Sequence, residues 1–161
     1  EETAPAFEHV GSDALPILRD DGVEVRVIAG SLYGASSPIA TASETIYADV
    51  TLAPGKSLPI DAGHEERAIY TVEGTLDISG DRFEPGNLLV FRPGDRITAT
   101  ASGTRPVRFL LLGGEPMDGP RHIWWNFVSS SKERIQQAKE DWKRKRFDTV
   151  PGDEEDFIPL P

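Results

Sequence analysis

The chain has 161 residues and a formal net charge of −10, with no cysteine and three histidines. That length suits one domain with a proper core and some additional tail. The absence of cysteine excludes disulfides, thiolate metal sites and cysteine nucleophiles and fits a reducing compartment, while the acidic balance argues against a nucleic-acid backbone as a direct partner. The N-terminal EETAPAFEHV lacks the basic and apolar regions of a signal peptide, and no apolar run approaches the ~20 residues needed to span a bilayer. A cytoplasmic protein with no membrane partner is expected. The chain starts without methionine in a polar, proline-bearing segment, as a piece cut from a longer polypeptide would. Residues 1–19 read as a linker or N-terminal arm.

From Asp20 onward the pattern changes to short apolar runs. DGVEVRVIAG alternates Val23, Val25 and Val27 with Glu24 and Arg26, the period of a half-buried strand. YADVTL, RAIYTV, TLDIS, NLLVF, RITATA and VRFLLL follow, separated by turn signals at Pro54-Gly55, Gly63, Gly74, Gly80, Pro85-Gly86, Pro93-Gly94 and Gly103. Many short strands at this spacing describe an all-β sandwich or jelly roll over residues 20–119. Tyr33, Tyr47 and Tyr70 are expected to pack on core or sheet faces rather than line a pocket.

Beyond Pro120 the sequence becomes helical. SSSKERIQQAKEDWKRKRF carries a capping signature from Ser130 to Glu133, then Ile135, Ala138 and Trp142 at helical spacing. The basic run Lys143 to Arg146 falls where cations complement a helix dipole and is read as a solvated face. Trp124 and Trp125 are adjacent, so in extended chain at most one packs inward and no flat two-ring platform forms. The tail places acidic Asp153 to Asp156 before an apolar hook, Phe157, Ile158, Pro159, Leu160 and Pro161, too apolar to leave in water. Residues 120–161 are therefore expected to form one amphipathic helix and an extended docking tail. The helix should lie on its own barrel, and the hook should cover a barrel edge or another copy of the chain.

Chemistry-bearing residues are sparse. Of the three histidines, His9 lies in the arm, His122 precedes the helix, and His64 alone is near the barrel strands, in GHEERAIYTVEG. His64 is a weak candidate general base with Glu65 or Glu66, against the plainer reading of an exposed turn residue. No phosphate loop, nucleophile elbow, dinucleotide fingerprint or zinc-finger spacing is present.

The segment GGEPMDGPRHIWWNFVSSSKERIQQAKEDW, the closing FIPLP, DGVEVRVIAGSLYGASSPI and HEERAIYTVEG resemble the C-terminal half of pirin-family proteins. The resemblance implies a cupin-type jelly-roll barrel, the second of two in a bicupin. It also implies that iron or another transition metal belongs to the N-terminal cupin, outside this chain, and that both the transcription-factor cofactor role and the quercetin dioxygenase activity of the family are tied to that half. The first cupin motif, G-x5-H-x-H-x3-E-x6-G, aligned on Gly55 and Gly74, puts its ligand positions on Asp61, Gly63 and Arg67. The second, aligned on Gly86 and Gly94, puts its histidine on Ile97 and Arg92 in place of proline.

On this reading the barrel keeps the frame of a metal site without its ligands, and Asp61 and Arg67 should face one cavity mouth, within ion-pair reach or bridged through water. No catalytic residue, metal ligand or cofactor is expected in this chain. Three functions follow as expectations: a metal-free structural or interaction domain beside an N-terminal cupin of the same parent or another copy; part of a quercetin 2,3-dioxygenase-type enzyme whose active site lies in the other domain; or a small-molecule binding module that uses the barrel cavity.

Overall fold

The computed structural model describes Ala4 and residues 6–161. They divide into two compact units, Ala6–Pro116 and a smaller one that holds Met117–Pro161. In the larger unit, strand structure starts inside the segment expected to be a linker. Residues 17–19 belong to β1 (Ile17–Asp20), which pairs antiparallel with β2 (Val23–Leu32), Ile17 opposite Arg26 and Asp20 opposite Val23. The reason is the two-residue turn between them: Asp21 and Gly22 both take positive φ, 36° and 81°, the pair of conformations whose twist matches that of the strands it joins.

β3 (Ala35–Ser36), β4 (Thr45–Leu52), β5 (Ser57–Ile60), β6 (Glu66–Glu73), β7 (Thr75–Ile78), β8 (Asp81–Phe83), β9 (Leu88–Phe91), β10 (Ile97–Ser102) and β11 (Val107–Gly114) complete the unit. Every strand-like run read from the sequence is a strand. They form two antiparallel sheets, one in the order β1-β2-β4-β11-β6-β9 with β3 beside β2, the other β5-β10-β7-β8. β4 shows why: Ile46, Ala48, Val50 and Leu52 are buried while the residues between them are not, so one face of the pleat meets the core. Val107, Phe109 and Leu111 of β11 and Ile69 of β6 join that face, and Leu58, Ile60, Leu76, Ile78, Ala99 and Ala101 of the small sheet complete the core. Each large side chain contributes about 1.5–3 kcal/mol by leaving water. The result is the expected jelly-roll β-sandwich.

Strand register fixes what gathers at one end of the sandwich. Gly30 of β2 lies opposite Ile46, Gly114 of β11 opposite both Thr45 and Glu66, Arg67 of β6 opposite Phe91, and Ile97 of β10 opposite Ile60. The loops 61–65 and 92–96 therefore close the same end. Gly30 is required there: at φ +76° it lies so close to the neighbouring strand that an added Cβ would be 1.6 Å from the Thr45 carbonyl oxygen.

The smaller unit is built on aromatic packing. β12 (His122–Trp124) and β13 (Phe127–Ser129) form a hairpin against which α1 (Lys132–Lys143) packs. Trp124 and Trp125 do not form a flat platform, their rings standing at 70°, but the expectation that only one packs inward fails. Trp125 has φ +51°, so the chain turns at it and both indoles enter one cluster: Trp124 against Phe127 at 6.2 Å and Trp125 against Trp142 at 5.1 Å.

The helix cap is one residue later than the sequence suggested. Ser131, not Ser130, is the N-cap; its Oγ accepts from the Arg134 N–H at 3.2 Å, and its hydroxyl donates to Glu133 at 2.9 Å. Only Ser130 has a glutamate three residues on, so the capping-box spacing pointed to it, whereas the Ser131 hydroxyl meets Glu133 at two residues' distance. A backbone N–H and the Ser131 hydroxyl hold the Glu133 carboxyl below its usual range. Two of the four cations in the basic run are ion-paired within the unit, Lys143 to Glu140 at 3.0 Å and Arg146 to Asp141 at 3.2 Å. Ile135 is the buried residue of the helix, and Trp142 meets the hook: its Nε1–H donates to the Ile158 carbonyl at 2.8 Å and its ring stacks on Phe157 at 5.7 Å. Leu160 is half-buried, while Ile158 stays 66% exposed. Among the described residues no helix is long and apolar enough to cross a membrane.

Deleting residues 157–161 removes the hook's two contacts with Trp142, the Ile158 carbonyl and the Phe157 ring, and leaves its packing on Trp125 in place. The deletion is expected to red-shift tryptophan emission and to lower Tm by a few degrees, checked by fluorescence and thermal denaturation; unchanged emission and Tm would show that the hook adds nothing to the unit.

Candidate functional site at the barrel mouth

The end of the sandwich closed by loops 61–65 and 92–96 holds all four motif positions, but it does not bring four side chains together. Asp61 follows β5 in exposed chain, and its Oδ1 accepts from the Gly63 N–H at 2.9 Å, an Asx turn that turns the carboxylate back onto its own loop. Gly63 is exposed in that loop. Ile97 is half-buried at the start of β10. Arg67 alone is deeply placed, with 1% of its surface exposed. It shares the core face of β6 with Ile69 and Thr71, because alternation along the strand sends these three inward and Ala68 and Tyr70 outward.

Arg67 and Asp61 do meet, though not as an ion pair. The guanidinium Nη1 donates to the main-chain carbonyl of Asp61 at 3.3 Å, and Nη2 donates to the carbonyl of Arg92 at 3.2 Å. In place of the expected carboxylate contact, the Asp61 side chain turns to its own loop in the Asx turn and presents its main-chain carbonyl to Arg67. One buried cation thus ties loop 61–65 to loop 92–96 through neutral acceptors, and its Nε–H has no hydrogen-bond partner.

His64 also departs from its plain reading. Its side chain is only 10% exposed, and Nδ1 lies 2.9 Å from Glu44 Oε1, within ion-pair distance when the imidazole is protonated although not aligned as a hydrogen bond. The partner is Glu44, across the end of the sheet, rather than Glu65 or Glu66. Sequence proximity pointed to the wrong carboxylates; pairing of Thr45 with Gly114 and of Gly114 with Glu66 explains the meeting. Tyr33, treated from sequence as a packing residue, joins the same end: its hydroxyl donates to the Pro59 carbonyl at 2.6 Å, and burial pushes its pKa up to about 12. Tyr47 and Tyr70 lie on the outer face of the large sheet, opposite Leu112 and Leu110. His9 is exposed and His122 half-buried at the start of β12, in the other unit.

Residues 47–148 match the family model of the pirin C-terminal cupin domain. The chain belongs to the pirin family. A pirin-like protein of Caulobacter vibrioides is 41% identical over 162 residues, which cover all of this chain and 55% of that protein. Human Pirin is 32% identical over 148 residues, covering 88% of this chain and 51% of the relative. This pirin-family chain spans about half the length of the curated relatives it matches. Its cupin-type jelly roll is shared with quercetin 2,3-dioxygenase from Acinetobacter baumannii, with a TM-score of 0.78 over 88% of this chain and 50% of that one, a likeness of fold at 23% identity.

The mouth of this pirin-family barrel does not fit a transition metal. Such an ion needs several imidazoles or carboxylates converging with open positions between them. Among the described residues no three histidine, aspartate or glutamate side chains converge. Arg67 would add a fixed positive charge beside a dication, a repulsion of about 4 kcal/mol per unit charge at ~4 Å and intermediate dielectric.

Two long bonds to neutral carbonyls return less than the several kcal/mol that burying a guanidinium costs. Arg67→Met in anion-poor buffer is therefore expected to raise unfolding stability by about 1–4 kcal/mol, read from urea midpoints. A loss of stability would show that the tie between the two loops outweighs desolvation.

Proposed function

We propose that this chain is a metal-free cupin domain with a structural and protein-interaction role, and that any chemistry of its parent protein resides in another half. The observation that carries this reading is Arg67: a ligand position of the cupin motif is filled by a buried cation that ties two loops together. An inward arginine keeps the barrel end closed without a metal and repels one.

The interaction role is supported by the outer face of the large sheet. Tyr70 pairs across the sheet with Leu110 and with Leu88, and Ala68 pairs with Leu112 and with Val90. Tyr70, Leu88 and Val90 are 40%, 58% and 74% exposed, so two adjacent rows form an apolar surface of the kind that marks association. The partner we assign to it is a second cupin domain, either the N-terminal half of the same parent or another copy of this chain.

Purification under iron- and manganese-replete conditions, followed by elemental analysis and a quercetin assay, tests the first part. A metal-free chain that turns over no flavonol is expected; near-stoichiometric Fe, Mn, Ni or Cu retained against mild chelation would overturn it. For the second part, Leu88→Glu with Val90→Glu is expected to weaken binding to a co-expressed pirin N-terminal half, or self-association, at least tenfold while leaving Tm within a few degrees. Unchanged affinity and oligomeric mass would remove this face from the interface.

A further inference from the structure

We propose that Arg67 is the anchor of a small-oxyanion site at the barrel mouth, taking a carboxylate or an anion of comparable geometry. This does not depend on the interaction role. Buried charges in proteins are paired or they are expensive. Arg67 is buried to 99%, its 1% exposure leaving no contact with bulk water to screen it, and among the described residues no aspartate or glutamate comes within ion-pair distance of it. Among the described residues its acceptors are two carbonyls at 3.2 and 3.3 Å, long for charge-assisted bonds, and Nε is unpartnered.

Among the described residues none of the chain's own carboxylates at this end reaches Arg67, and Glu65 and Glu66 are exposed. Asp61 holds the Gly63 N–H, Asp95 Oδ2 accepts from the Arg92 N–H at 3.3 Å, and Glu44 faces His64. The position opposite the guanidinium is thus left to an anion from outside the chain. Of the edge with which Arg108, in the same unit, grips Asp49, Nε to Oδ1 at 2.9 Å and Nη2 to Oδ2 at 2.7 Å, Arg67 has Nε unpartnered and Nη2 held by the Arg92 carbonyl, so an anion takes Nε and displaces or shares that long bond. A carboxylate presents two acceptors at that spacing, whereas chloride presents one centre and gains less. Entry requires loops 61–65 and 92–96 to part, and what holds them at Arg67 is the same pair of long bonds. The ligand is small, because a side chain this deeply buried leaves no path for a peptide.

The test follows the Nε–Hε resonance of Arg67 in arginine-labelled protein, assigned by its loss in Arg67→Lys, during separate titrations with sodium acetate, sodium phosphate and sodium chloride at constant ionic strength. A saturable shift with acetate or with phosphate is expected, and whichever saturates at lower concentration identifies the anion class. The same anion should raise Tm by about 3 °C at ten times its Kd in the wild type and not in Arg67→Lys, since a lysine ammonium cannot fork. No saturable shift with either oxyanion, or a shift that chloride reproduces, would overturn the proposal. Should Arg67→Lys fail to fold, the wild-type titrations still decide between these outcomes.

Discussion

The larger unit depends on its last strand lying in the middle of its sheet. β11 is flanked by β4 and β6 and holds continuous register with β4 from Val107 opposite Leu52 to Gly114 opposite Thr45. On its other side it meets β6, with one irregularity between Arg108 and Phe109. Until β11 is in place, β4 and β6 have no common neighbour, and the core face made by Val107, Phe109 and Leu111 does not exist. Strand order therefore requires pairing across more than fifty residues of chain between Thr51 and Arg108, whose loop-closure entropy is offset only when the whole sandwich condenses. The mouth is set by the same register, because Gly113 pairs with Arg67 and thereby fixes which residue of β6 faces inward at that end.

The longer strands, the helix and the sandwich were legible because each rests on periodicity, whereas β3, β5, β8 and the β12-β13 hairpin, the latter inside the segment expected to be helix and tail, are too short to show a period. What escaped were choices made by backbone conformation or by distant partners. Asp21-Gly22 carried a hairpin signal within the sequence, and the extra strand of Ile17–Asp20 followed from it. Trp125 broke the alternation argument by taking a left-handed conformation that an indole side chain rarely adopts. The sequence neighbours of His64 are Glu65 and Glu66, whereas its carboxylate lies at Glu44, brought near by sheet register.

The motif frame had a mixed outcome that is physically instructive. Spacing alone put Arg67 and Ile97 at the inner end of the barrel, and it also named Asp61 and Gly63, which lie in exposed loop. A ligand position on a strand is held by the pleat, so it persists whatever residue occupies it. A position in a loop is held by its side-chain chemistry, and here the Asx turn between Asp61 and Gly63 has its own preference.

The ends of the two sheets suggest how such a domain meets its surroundings. The terminal strands β1, β9, β5 and β8 have only four, four, four and three residues. Pro59 sits within β5, where it lacks a backbone donor, and Pro85 and Pro93 bracket β9. A strand offered by another chain would find few consecutive peptide groups to pair with at any of these borders, so fibrous or swapped growth through shared sheets is starved of hydrogen bonds. What these borders leave for contact is side chains standing on the faces, and contacts of that kind can form and dissolve without unravelling the barrel that presents them.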